Sequence, residues 1–227
     1  MNALADELGC LVAYPAQPAT ANAQKCWNWY RPEDQARDRG EPALIAGLTR
    51  AIWRDHNADP ARTYIAGLSA GGTAAVVMAS AYPHVFSAVG VHSGLPADGA
   101  QDIPQAFAAM RSGSKSKPNR SVVPTAVFHG LADSMVHPDN GTAILSQAPH
   151  AMPGLRVTTR QGIEGGGHRY RTTAHIHADG RSLAEHWQID EAGHAWARGH
   201  SAGSYTDPKG PDASRQMALF FLQHRHA

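Results

Sequence analysis

Thr63-Tyr64-Ile65-Ala66-Gly67-Leu68-Ser69-Ala70-Gly71-Gly72-Thr73-Ala74-Ala75-Val76-Val77-Met78-Ala79-Ser80-Ala81-Tyr82 decides the fold of this chain. Its first four residues are short, apolar and β-favouring, and the stretch after Gly71 is alanine-rich and suits a helix. Between them Gly67-Leu68-Ser69-Ala70-Gly71 spells G-x-S-x-G. Strand, sharp turn and helix is the setting that lifts a serine hydroxyl out of a sheet as a nucleophile. Small residues two positions either side let strand and helix approach without Cβ clashes. A Gly-rich turn ahead of a helix is the plainer reading of the five residues alone; the flanks decide for the nucleophile.

The chain has 227 residues, enough for one domain, 1–227, with a real core. Hydrophobic residues make up 42% and charged residues 17%, as in an ordinary globular protein. A net charge of +1 gives no reason to expect nucleic acid or an anionic membrane as partner. No apolar run approaches the length of a membrane span. Met1 to Gly9 reads as an amphipathic helix stopped by Gly9, not as a signal peptide. Cys10 and Cys26 are compatible with one disulfide or with two free thiols.

Outward from Ser69, buried-strand patterns fall at Cys10 to Tyr14, Phe86 to Val91 and Thr125 to Phe128. Glu41 to Asn57 carries Leu44, Ile45, Leu48, Ile52 and Trp53 at helical spacing. Further helices are expected near Gln105 to Met110, over Thr142 to Gln147, and over Pro211 to His224 with Met217, Phe220 and Phe221 on one face. Tyr170 to His177 and Ser182 to Ile189, joined by Ala178-Asp179-Gly180-Arg181, read as a hairpin. Residues 112–118 read as a polar loop within the domain. Buried strands alternating with helices imply an α/β, mostly parallel sheet flanked by helices.

A serine hydroxyl needs a base, and the base needs a carboxylate to orient it. On a strand-elbow-helix fold the chain order is serine, acid, histidine. Asp133 follows the strand Thr125 to Phe128 and is the candidate acid, with Asp139 and Asp98 in reserve. A turn aspartate bonding its own backbone is the plainer alternative. His194 follows the strand ending at Ile189 and is the candidate base among 14 histidines. His92, His129 and His137 also follow strands, but they precede or crowd the acid and suit supporting or surface roles. His168, His175, His177 and His186 lie on the hairpin, with no Asp or Cys to complete a metal set, so a solvated polar face is expected. No metal and no cofactor are required. The Ala70 backbone N–H is the expected oxyanion donor, while the chain before residue 10 offers no strand and loop for the second. Trp27 and Trp29 in a polar loop, and Trp196 beside the base, are candidate substrate contacts, with packing under a loop as the alternative.

Several segments now form an ordered set: Leu11-Val12-Ala13-Tyr14-Pro15, Lys25-Cys26-Trp27-Asn28-Trp29, the Ser69 motif, Val89-Gly90-Val91-His92-Ser93-Gly94, His129-Gly130-Leu131-Ala132-Asp133, Val136-His137-Pro138-Asp139-Asn140, Gly193-His194-Ala195-Trp196 and Gly203-Ser204-Tyr205-Thr206-Asp207-Pro208. With them the chain resembles the polyhydroxybutyrate depolymerase-type esterases of the α/β-hydrolase superfamily, relatives of the feruloyl and acetylxylan esterases of carbohydrate esterase family 1. The resemblance implies an α/β-hydrolase fold and a Ser69, Asp133, His194 triad. It also implies secretion, so an extracellular enzyme is expected. Family members carry upstream strands and a His-Gly-Cys oxyanion loop, so the chain reads as N-terminally truncated, with Met1 inside an internal helix. In that reading Cys26 has lost a natural disulfide partner and the sheet has an exposed edge or an unfilled face.

The expected function is a serine esterase whose partners are ester substrates, foremost short-chain 3-hydroxyalkanoate polyesters or their oligomers. A feruloyl or acetylxylan esterase is the runner-up within the class. An inactive remnant that binds polymer through its aromatic loop is the alternative from another class, and a serine peptidase is a third.

Overall fold

The computed structural model of the protein describes residues 1–114, 123–148, 153–164 and 167–226. Along the chain run α1 (Asn2–Leu8), α2 (Gly40–His56), β1 (Tyr64–Leu68), α3 (Ala70–Ala81), β2 (Ala88–His92), α4 (Ile103–Ser112), β3 (Thr125–Gly130), α5 (Asp139–Gln147), β4 (Arg156–Ile163), β5 (Arg169–Ile176), β6 (Ser182–Ile189), β7 (Trp196–Ala197), β8 (Thr206–Asp207) and α6 (Ala213–Phe221). Two of the helix starts carry side-chain caps. Asp102 caps α4 by accepting from the Gln105 N–H at 2.8 Å, and Asp212 caps α6 by accepting from Arg215 N–H at 2.9 Å.

Six strands form one sheet in the order β1-β2-β3-β6-β5-β4. The pairs β1/β2, β2/β3 and β3/β6 are parallel, and β6/β5 and β5/β4 are antiparallel. Alternation along the strands sorts the core into two layers. On one face Ala88, Ala126, Phe128, Trp187 and Ile189 meet Met217, Phe220 and Phe221 of α6. On the other, Val89, Val91 and Val127 meet Ala75, Val76, Ala79 of α3 and Ile144 of α5. Gly90 permits the first contact: a Cβ there would stand 2.7 Å from Met217 Sδ and 2.9 Å from Phe221 Cζ. α2 closes the far side of α3 by packing Ile45 and Ala46 on Met78, Tyr82, Val85 and Phe86.

Two expectations are corrected, the strand over Cys10 to Tyr14 and the solvated setting of His186, and two further features are new. Cys10 to Tyr14 forms no strand; Leu11 and Tyr14 are 64% and 65% exposed, and β1 pairs only with β2 among the described residues. A strand pattern becomes a strand only with a ladder partner. Leu44 and Leu48 are exposed, because the apolar stripe of α2 is wider than the part α3 covers. His186 is buried, since β6 is an interior strand covered by α5. β4 was not anticipated, its sequence being polar and largely exposed. Cys10 and Cys26 are both free and exposed. Residues 115–118 of the polar loop lie outside the described residues.

Candidate active site

Ser69 stands between β1 and α3 at φ 56°, ψ −121°. A non-glycine residue there is strained by roughly 1–3 kcal/mol, which the surroundings must impose. Two anchors do so: the Ser69 N–H donates to His92 O at 2.9 Å, and the Thr73 N–H donates to Ser69 O at 2.9 Å. A Cβ on Gly67 would lie 2.2 Å from the Gly71 carbonyl, so this glycine is a steric requirement of the turn. Gly71 is not equally constrained; a Cβ there would meet Trp27 Cδ1 at an ordinary 3.8 Å. The second tight position is Gly72, whose Cβ would meet Gly67 O at 3.0 Å and Val91 Cγ1 at 3.1 Å. Ala70 opens α3, so its N–H has no acceptor one turn back, and the helix N-terminus favours developing negative charge.

Asp133 and His194 follow β3 and β6, at the same carboxyl edge of the parallel strands as Ser69. Their two loops are laced together. Leu131 N–H donates to Ile189 O at 2.8 Å and Ala132 N–H to Ala192 O at 3.0 Å. Asp133 Oδ1 accepts from the Met135 and Val136 N–H groups at 3.0 and 2.9 Å. Its Oδ2 accepts from His194 Nδ1 at 2.8 Å, with the carboxylate enclosed and the imidazole slightly exposed. Burial alone would raise the Asp133 pKa, but the His194 and Val136 hydrogen bonds outweigh it and hold the carboxyl below its usual range. Because Nδ1 donates to the carboxylate, the lone pair of His194 Nε2 is the one left to accept a proton. The reserve acids do not share this position. Asp139 is exposed beside His137, and Asp98 is exposed on a loop bonded to Gln35.

His92 links Ser69 to the segment that follows His194, a connection its sequence position does not reveal. Its carbonyl holds Ser69, and its ring Nε2 accepts the Ala197 N–H at 3.1 Å, three residues beyond His194. That acceptor role puts the ring proton on Nδ1, which donates to Ser93 Oγ at 3.1 Å. Trp196 stacks on the same ring at 5.3 Å. Full burial, then the neighbouring His129 and His194, push the His92 pKa down to about 3, so it stays a neutral clamp. His92→Phe preserves the stack but leaves the Ala197 N–H without its acceptor. We expect kcat to fall about 10-fold with KM little changed, in steady-state kinetics on a soluble ester.

The tryptophans separate into different environments. Trp29 is 6% exposed and enclosed among Leu95, Ala106 and Val136, next to Ala70, so it packs the wall instead of forming an open rim. Trp27 is partly buried over Gly71. Trp196 is partly exposed, and its indole N–H donates to Ser214 Oγ at 3.0 Å. Buried Glu41 fixes the aromatic loop by accepting from Asn28 N–H at 2.7 Å and Asn28 Nδ2 at 2.7 Å. A separate cleft of about 360 Å³, lined by Phe86, Val123, Leu183 and His224, opens at the amino ends of the strands, opposite Ser69. Among the described residues, no group of three or more His, Cys, Asp or Glu is placed to hold a metal ion.

A family model described as Esterase PHB depolymerase matches residues 1–155, a stretch that includes Ser69 and Asp133. Poly(3-hydroxyalkanoate) depolymerase C of Paucimonas lemoignei is 30% identical over 197 residues, covering 81% of this chain and 47% of that protein. Feruloyl esterase B of Neurospora crassa is 28% identical over 163 residues, covering 63% of this chain and 55% of that protein. The chain thus spans about half the length of these two curated relatives. Among solved structures, an acetyl xylan esterase from Aspergillus awamori superposes with a TM-score of 0.72 at 18% identity, over 97% of this chain and 80% of that one. At that identity the likeness is one of fold, and the fold is that of the α/β-hydrolases.

Proposed function

This chain belongs to the esterase PHB depolymerase family, and from that premise we propose that it is a serine esterase forming a single domain over residues 1–227. Ser69 Oγ attacks the ester carbonyl while His194 Nε2 takes its proton. Asp133 holds the Nδ1–H tautomer and stabilises the imidazolium. The Ala70 N–H faces the oxyanion. The alcohol departs with the proton from His194, and water then cleaves the acyl-enzyme by the same route. The chemistry uses no cofactor or metal. The observation that carries this reading is the 2.8 Å Asp133–His194 pair on the strand edge from which Ser69 projects.

The substrates we propose are short-chain poly(3-hydroxyalkanoate) polyesters or their oligomers, after the depolymerase relative, with Trp27 and Trp196 as apolar contacts. We propose an extracellular setting on the same ground. The 28% identity to feruloyl esterase B favours, as the second reading, aryl or acetyl esters of plant cell walls. A fluorophosphonate probe, mass-mapped after proteolysis, should form a stable adduct on Ser69. Release of 3-hydroxybutyrate from a polymer film, against release of ferulate or acetate from decorated xylan, then ranks the two substrates. A folded protein that takes no adduct would remove the esterase reading and favour an inert polymer-binding role.

A further inference from the structure

His129 is the penultimate residue of β3, on the face opposite to His92, and the proposed mechanism gives it no task. Its side chain is fully enclosed, as is that of Asp133. Its Nε2 donates to Val136 O at 2.8 Å and lies 3.6 Å from Asp133 Oδ2, the oxygen that receives His194. Val136 also donates its own N–H to Asp133 Oδ1. The imidazole therefore bonds the loop that feeds the carboxylate and stands against the carboxylate itself without a hydrogen bond to it. Its other nitrogen, Nδ1, has no hydrogen-bond partner among the described residues, and neither does Nε2 of buried His186. Both nitrogens face the bare Cα of Gly141 in α5. A Cβ there would stand 3.1 Å from His129 Nδ1 and 2.9 Å from His186 Nε2.

We propose that His129 is a positioning residue for Asp133, with its Nε2–H backing the carboxylate and tying the Val136 loop, in a seat kept open by Gly141. This inference rests on the triad proposed above. The tautomer follows from the Val136 carbonyl, which can only accept. A neutral imidazole is what the position requires. A cationic ring 3.6 Å from Oδ2 would compete with His194 for the carboxylate's charge, whereas a neutral N–H dipole steadies the carboxylate and leaves its full charge facing His194. Burial, the largest influence, lowers the His129 pKa; the Val136 bond and Asp133 oppose it, and His194 and His137 add to it. His186, which lies on the same side, is pushed down to about 4 by burial and by His129. Neither His129 nor His186 therefore places a cation behind the acid near neutral pH.

His129→Leu removes the N–H, and His129→Gln restores a donor near the Nε2 position. His129→Leu should lower kcat about 10- to 100-fold with KM within about twofold, and His129→Gln should recover most of the loss. Gly141→Ala, which reaches His129 without touching the acid, should reproduce part of the His129→Leu defect. The second readout is the low-field proton resonance of His194 Nδ1–H, which is observable whether or not an ester turns over. It should shift or vanish in His129→Leu and survive in His129→Gln. Melting temperatures identify any variant that merely fails to fold, and His129→Gln then carries the comparison. An unchanged kcat and an unchanged resonance in folded His129→Leu would overturn the inference. A wild-type protein inactive on every ester, with the resonance behaving as stated, would instead remove the esterase reading and leave His129's role standing.

Discussion

Asp133→Asn is expected to lower kcat on p-nitrophenyl butyrate by on the order of 10⁴-fold while leaving KM and the melting temperature close to those of the parent. The reason lies in the two oxygens. Oδ1 accepts two backbone N–H groups, from Met135 and Val136, so an asparagine must turn its carbonyl oxygen to that side. Its NH₂ then faces His194 Nδ1, where Oδ2 now accepts. Two donors cannot share that contact, so His194 changes tautomer, presenting Nδ1 as acceptor and carrying its proton on Nε2. The nitrogen that should take the Ser69 proton is then already occupied. Volume and backbone bonds are preserved, which is why stability should hardly move. Ser69→Ala should remove at least as much activity, and Ser69→Gly should in addition gain about 1 kcal/mol of stability by relieving the positive-φ turn. A loss below about 10-fold in Asp133→Asn would show that Asp133 does not orient the base.

What could be read without coordinates was whatever fits in one contiguous stretch. The Ser69 turn carries its own strand, glycine and helix, and Asp133 and His194 each sit just past a recognisable strand. The apolar face of α6 was legible because Met217, Phe220 and Phe221 repeat at helical spacing and all three are buried. What was hidden depends on register between strands. His92 and His129 lie at the carboxyl ends of neighbouring strands on opposite faces, one bonded to Ala197 and the other to Val136 beside Asp133, and no local spacing announces that. His186 looked solvated because alternation in a hairpin suggests a wet face, yet β6 pairs on both sides and lies beneath α5. Cys10 to Tyr14 has strand composition without a strand, since composition states a preference and only pairing realises it.

The buried histidines make a second large effect: the fold should be lost steeply on mild acidification. His92 is pushed down to about 3 by burial and by His129 and His194. His186 falls to about 4 through burial and His129. His224 also falls to about 4, mainly through burial, with its bond to Ser182 O opposing. All three start from an ordinary value of 6.5. Between roughly pH 4 and 6.5 the unfolded chain therefore binds protons that the folded chain refuses, and stability must rise with pH across that window. Read downward, stability is lost as pH falls below about 6.5, at about 1.4 kcal/mol per pH unit for each histidine, or about 4 for three. A domain is stable by only about 5–15 kcal/mol, so unfolding near pH 5 is expected. The depressed carboxylate of Asp133 cannot compensate, because its contribution is itself lost as pH falls below about 4. Glu41 and Glu185, raised by burial, do favour the folded state as they take up protons, and they soften the lower end of the curve. Urea titrations from pH 7.5 to 4.5 give the slope directly. His186→Leu should make the slope shallower, since one of the proton-refusing rings, of which His129 is another, is gone, even if the variant is less stable at pH 7.5. A stability flat between pH 7 and 5 would mean that these rings accept protons inside the fold, and the neutral clamp at His92 would fall with it.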